Sequence, residues 1–183
     1  MASTTESRLT LLVGGARSGK SALAVELGRR HEGAVTYIAT CPPADDDLRA
    51  RIARHRAERP GWPTIEAPLE LAEALGAVPA GEFVIIDCLT LWVSNLLARG
   101  DDDAAVDELA VSAADATARR EGPAIVISNE VGLGVHPTTE LGRRYGDVLG
   151  RVNQTWARQA GTTLLLVAGR AVRLDDPFDL LST

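Results

Sequence analysis

Five short apolar runs punctuate the chain, at residues 9–13, 35–39, 83–87, 124–128 and 163–168. Each is strand-length and dominated by aliphatic or β-branched residues, so each predicts a buried β-strand. Between them the period changes. Leu23 and Leu27 lie four apart among alanines, and Leu141, Tyr145, Val148, Val152 and Trp156 recur every three or four positions, as on one face of a helix. These stripes predict core. A further helix is expected over 106–120, and the Asp101-Asp102-Asp103 run ahead of it reads as helix-start charge before it reads as a metal site. Strands alternating with helices predict a parallel sheet covered on both faces, with ligands at the C-terminal ends of the strands. Residues 8–174 then form one domain, with a loose tail at 1–7 and a weakly ordered end at 175–183.

Length and charge narrow the partners. A chain of 183 residues suffices for one core, burying about 70% of the unfolded surface. Its net charge of −6, with arginines scattered along it, gives no basic stripe for nucleic acid. A polyanionic ligand must therefore be met locally. Cys41 and Cys88 form no C-x-x-C pair, and neither a secretory signal nor a membrane-length apolar run is seen, so a reducing cytoplasm is the expected compartment.

Of the 19 basic residues one alone is lysine, Lys20, and it stands in Gly14-Gly15-Ala16-Arg17-Ser18-Gly19-Lys20-Ser21 directly after the first strand. This is the phosphate-loop pattern G-x-x-x-x-G-K-[ST]. Glycines let successive backbone N–H groups close around phosphate oxygens, the next helix adds its positive end, and an ammonium reaches the outer phosphates as a compact charge. Ser21 would place its hydroxyl on a magnesium ion. The third strand ends in Asp87, a Walker B type carboxylate that in such proteins lies beside that hydroxyl and holds the same metal. The expected fold is therefore α/β, a RecA-like phosphate-loop NTPase with a mainly parallel sheet.

Two other segments invite chemistry. Residues 45–60 begin with acids, carry many arginines and stop at Pro60, which reads as a helix with Leu48, Ile52 and His55 on one face. His55 sits among Arg51, Arg54, Arg56 and Arg59. That density of positive charge suits a triphosphate and lowers the imidazole's proton affinity, leaving a neutral nucleophile; a surface histidine on an arginine-rich helix is the alternative that the stretch itself leaves open. The loop from Ser128 through Asn129, Glu130 and Gly132 to His136 follows the fourth strand and should reach the same sheet edge, either as a pocket wall or as a plain strand exit. There Asn129 can donate to phosphate or sugar, and Glu130 can orient an acceptor hydroxyl or a metal-bound water. Arg143, Arg144 and Arg151 on the following helix read mainly as solvated or ion-paired.

Together GGARSGKS, Tyr37-Ile38-Ala39-Thr40, Arg51-Ile52 with His55 and Arg59-Pro60, Trp62 with Thr64 and Glu66, Asp87-Cys88-Leu89-Thr90 with Trp92 and Asn95, Asn129-Glu130-Val131-Gly132 and Gly150-Arg151-Val152-Asn153-Gln154 carry a resemblance over nearly the whole chain. The sequence resembles the bifunctional adenosylcobinamide kinase/adenosylcobinamide-phosphate guanylyltransferases of cobalamin biosynthesis. The resemblance implies phosphorylation of adenosylcobinamide, with ATP or GTP as donor, and then transfer of GMP from GTP through a guanylylated histidine. It carries that histidine onto His55. It carries the nucleotide contacts onto the phosphate loop, Thr40, Cys41, Arg56, Arg59, Glu66 and Asp87, and it implies a homotrimer whose neighbouring subunits complete the site. Two departures are visible: Arg54 stands where some relatives have a second histidine, and Thr40-Cys41 runs into Pro42-Pro43. Competing readings are a phosphate-loop kinase of another small metabolite, with His55 incidental, and a RecA-like regulatory NTPase.

Overall fold

The computed structural model describes residues 7–41 and 61–181. Its strands are β1 (Leu9–Gly14), β2 (Val35–Ala39), β3 (Thr64–Glu66), β4 (Phe83–Asp87), β5 (Ala124–Ile127), β6 (Thr162–Val167) and β7 (Arg170–Leu174). They form one seven-stranded sheet in the order β3-β2-β4-β5-β1-β6-β7. All neighbours are parallel except β7, which returns antiparallel beside β6. The helices are α1 (Lys20–Arg30), α2 (Leu71–Gly76), α3 (Leu89–Arg99), α4 (Asp103–Ala118), α5 (Glu140–Gln159) and α6 (Pro177–Leu181).

Alternation along each strand divides the core into two layers. Leu9, Leu11, Val13, Val84, Ile86 and Val126 face α2 to α5, whose Leu71, Trp92, Leu96, Val106, Val148 and Trp156 complete that side. Leu12, Val35, Tyr37, Phe83, Ile85, Ile125 and Ile127 face the other way, against Ala24 and Leu23 of α1 and against Trp62. The central strands are apolar on both faces because both are covered.

The five expected strands are present, with ends shifted by a residue at most. β3 and β7 lie outside that set. Three residues, Thr64-Ile65-Glu66, are too few to show a period, and every residue of β7 is exposed, which removes the apolar signal. Two stripe positions are corrections to the expected core: Leu27 is exposed, and Leu141 is 66% exposed. A helix the length of α5 spans about 30 Å, whereas strands of about five or six residues span 17–20 Å. Its first turn therefore overhangs the sheet. The α4 helix starts at Asp103, earlier than expected, because Asp102 accepts from Ala105 N at 2.9 Å and caps it. The acidic run is structural throughout: Asp101 pairs with Arg99, and Asp103 with both Arg144 and Arg151. Those two guanidiniums, Arg144 first, hold the Asp103 carboxyl below its ordinary value. Arg151 also meets Asp107 at 3.0 Å, so α5 is joined to α4 by ion pairs.

Candidate active site

At the C-terminal edge, register aligns Glu66 with Ala39, Ala39 with Asp87, Asp87 with Ile127, and Ile127 with Leu12. Beyond that row β1 runs on into the phosphate loop. Gly14 has φ 151°, and a Cβ there would collide with the Leu166 carbonyl oxygen of β6. Only glycine lets the loop turn this close to its neighbour. Gly15, Ala16 and Arg17 are exposed, while Ser18 and Lys20 are buried. The α1 helix then begins with no side-chain cap and no acid in its first turn, so its leading N–H groups suit an anion.

Lys20 is 5% exposed, and its Nζ donates to Gly14 O and Gly15 O at 2.8 Å each and to Ser18 Oγ at 3.4 Å. Burial lowers its proton affinity, whereas Cys88 and Asp87 act electrostatically in the opposite sense. The ammonium thus tethers the loop to itself and sits within the field of the carboxylate ending β4. Two further bonds brace the loop: Glu130 N donates to Gly14 O at 3.1 Å, and Gly169 N to Ser18 O at 2.9 Å.

Around Asp87 the polar groups are closely paired. Tyr37 OH donates to Asp87 Oδ2 at 2.5 Å. Thr40, wholly buried, accepts at Oγ1 from Cys88 N at 2.8 Å and donates to Cys88 O at 2.7 Å. Asn95 Nδ2 donates to Thr40 O at 2.8 Å and to Pro68 O at 3.0 Å, joining the exits of β2 and β3 through α3. Burial pushes the Cys88 thiol up to about 12, so it is no thiolate nucleophile near neutral pH.

The loop after β5 is fixed from two helices. Thr90 Oγ1 accepts from Asn129 N at 2.9 Å, Asn153 Nδ2 donates to Asn129 O at 3.0 Å, and Ser128 Oγ donates to Asn153 Oδ1 at 2.6 Å. The Glu130 carboxylate accepts from Gly132 N at 2.5 Å, and residues 131–140 are exposed. Tyr145, pushed up to about 12 by burial, donates to Thr90 O at 3.2 Å. His136 stands on the exposed stretch, as a loop residue.

The sheet therefore brings together residues 14–21, Thr40, Cys41, Glu66, Asp87, Asn129 and Glu130 at one edge. His55, Arg56 and Arg59 lie outside the described residues. Tyr37, Thr90, Asn95 and Asn153 had no role assigned from sequence, yet they hold Asp87 and the two flanking loops. Their signal is a polar group inside an otherwise apolar stretch, such as Asn95 in Leu-Thr-Leu-Trp-Val-Ser-Asn-Leu-Leu. Arg143 donates to Pro137 O and Thr138 O, and Arg144 and Arg151 are ion-paired, so none of the three is a spare phosphate cation.

An anion cradle with a buried lysine and a neighbouring carboxylate is the equipment for handling nucleotide phosphates, and comparison with known proteins agrees. The fold is similar to an ATPase of the type III secretion system of pathogenic bacteria, with TM-score 0.54 and 12% identity, covering 87% of this chain and 51% of that one. It is also similar to the RadB recombinase, with TM-score 0.50 and 18% identity, covering 86% of this chain and 73% of that one. The bifunctional adenosylcobalamin biosynthesis protein CobP of Pseudomonas aeruginosa is 44% identical over 161 residues, 87% of this chain and 92% of that protein. CobU of Escherichia coli, described in the same words, is 36% identical over 181 residues, 91% of this chain and 99% of that protein. The profile of the cobinamide kinase/cobinamide phosphate guanyltransferases matches residues 10–174. With a RecA-like phosphate-loop fold and a match of that extent, this chain is an enzyme of the cobinamide kinase/cobinamide phosphate guanyltransferase family.

Proposed function

We propose that the chain phosphorylates the aminopropanol hydroxyl of adenosylcobinamide with ATP or GTP, then transfers GMP from GTP to that phosphate, giving adenosylcobinamide-GDP and pyrophosphate. The observation that carries this reading is the cradle of residues 14–21 set beside Asp87 and the loop at 129–130, in a chain matched by this family from 10 to 174. Opened by a triphosphate, the cradle exchanges the Lys20 bonds to Gly14 O and Gly15 O for bonds to phosphate oxygens. Charge developing on the leaving phosphates then meets the ammonium and the uncapped N–H groups of α1.

Ser21 and Asp87 supply hard oxygen donors of the kind magnesium takes, and Asp87 ends β4, which β5 alone separates from β1 and its loop. They fit the ion, which when bound would neutralise phosphate charge. Glu66, Thr40 and Cys41 at the neighbouring strand exits are assigned to the guanine nucleotide, as are Arg56 and Arg59. Asn129 and Glu130 are assigned to the acceptor.

In the second reaction direct attack of one phosphate on another brings like charges together. A neutral His55 imidazole avoids this in the first step: its nitrogen attacks the α-phosphorus, the N–P bond forms, the bond from that phosphorus to the bridging oxygen breaks and pyrophosphate leaves. The substrate phosphate oxygen next attacks the same phosphorus, the N–P bond breaks and the imidazole is restored. A homotrimer in the cytoplasm, with neighbours completing each site, belongs to the same proposal.

Incubation with α-labelled GTP and magnesium tests it. The protein should acquire acid-labile, base-stable label, as a phosphoramidate does, and His55→Ala should abolish label and GMP transfer while sparing phosphorylation. Label that persists in that variant would remove His55 from the mechanism.

A further inference from the structure

Tyr37 is 4% exposed in the middle of β2, on the α1 face of the sheet. Its register partner is Ile85, and Asp87 lies two residues further along β4 on the same face. A side chain of tyrosine length spans that diagonal. The phenol uses the reach to donate to Asp87 Oδ2 at 2.5 Å, within the charge-assisted range. Packing alone would be served by phenylalanine, as it is by Phe83 and Ile85 beside it. Among the described residues Oδ1 of Asp87 accepts no hydrogen bond. The carboxylate is therefore held at one oxygen from the sheet interior, with the other left to the edge where Lys20 and Ser21 stand.

We infer that Tyr37 is a positioning residue: it fixes the Asp87 carboxylate so that its second oxygen faces the metal–triphosphate. This inference rests on the proposed role of Asp87 as a metal ligand. Hydrogen-bonded partners of ligating carboxylates set ligand orientation, and their loss costs about 10- to 100-fold in metal affinity or activity. Without the phenol the carboxylate loses the side-chain hydrogen bond that orients it among the described residues.

The test measures free Mn²⁺ by electron paramagnetic resonance in the presence of the α,β-methylene analogue of GTP, which blocks GMP transfer. Tyr37→Phe should weaken Mn²⁺ binding to the protein–nucleotide complex by about tenfold, while analogue affinity in EDTA stays within about twofold. Asp87→Asn should weaken Mn²⁺ by at least as much, and adding Tyr37→Phe to it should change nothing more, because the phenol acts through that carboxylate. Mn²⁺ affinity unchanged in Tyr37→Phe but lowered in Asp87→Asn would overturn the inference and leave the metal site standing. Affinity unchanged in Asp87→Asn would overturn the metal assignment itself. The chain has two tyrosines, so Tyr145→Phe leaves Tyr37 as the sole site for 3-fluorotyrosine and gives a measurement independent of how Tyr37→Phe folds. Its ¹⁹F resonance should shift when Mg²⁺ joins the analogue complex and not when Asp87→Asn is also present; no shift in the first case would equally overturn the inference.

Discussion

At the residue scale the phosphate cradle depends on Lys20. Lys20 serves two carbonyls and a hydroxyl within its own loop, so the geometry asks for a compact ammonium with three donors. A planar guanidinium would not fill that place, which explains why the sole lysine stands in a chain otherwise supplied with arginine. A hydrogen bond to a charged group contributes about 1.5–3 kcal/mol. Lys20→Ala is accordingly expected to weaken triphosphate binding by about 10- to 100-fold and to depress both reactions, which titration calorimetry and paired assays can measure. Lys20→Arg should not restore them. Wild-type binding in the alanine variant would contradict the cradle. Lys20 and Asp87 were legible because a motif and a strand-end carboxylate are local patterns. Tyr37 was not, because its hydrogen bond crosses 50 positions of chain.

Among the elements, α1 couples the loop to the rest of the fold through a close approach at Gly28. A Cβ there would stand 2.6 Å from Trp62 Cη2 and 3.1 Å from Ile85 Cδ1. Trp62 in turn precedes Pro63, whose carbonyl accepts from Tyr37 N at 2.9 Å, so the same contact seats the chain as it enters β3. Overpacking costs about 1–3 kcal/mol, and alanine recovers at most about 1 kcal/mol of helix propensity. Gly28→Ala should therefore destabilise the fold by up to about 2 kcal/mol, read as a lower urea midpoint at unchanged slope; a midpoint at or above wild type would show that Trp62 moves aside freely. Nothing in the helical spacing of α1 announces this, since Gly28 departs from an ordinary helix only in what packs on it. Likewise β3 and β7 exist as strands only because β2 and β6 offer them open edges.

For the whole molecule, the sheet faces are covered by helices while β7 and α6 carry Val172, Leu174, Phe178, Leu180 and Leu181 exposed. Association would give these apolar side chains something to cover. Light scattering should return a mass near three chains of 19.4 kDa if the proposed homotrimer forms, and a monomer at working concentration would contradict that proposal. The sequence by itself determined the layered α/β plan, the five principal strands and the phosphate cradle, because hydrophobic period and loop chemistry are written over a few neighbouring residues. Tertiary structure decided which strand lies beside which, that Asp103 of the acidic run pairs with α5, and that Tyr37, Asn95, Thr90 and Asn153 hold the groups at the strand ends. Such contacts join residues 24 to 55 positions apart, and a hydrogen bond over that separation exists only once the sheet has brought its partners within reach.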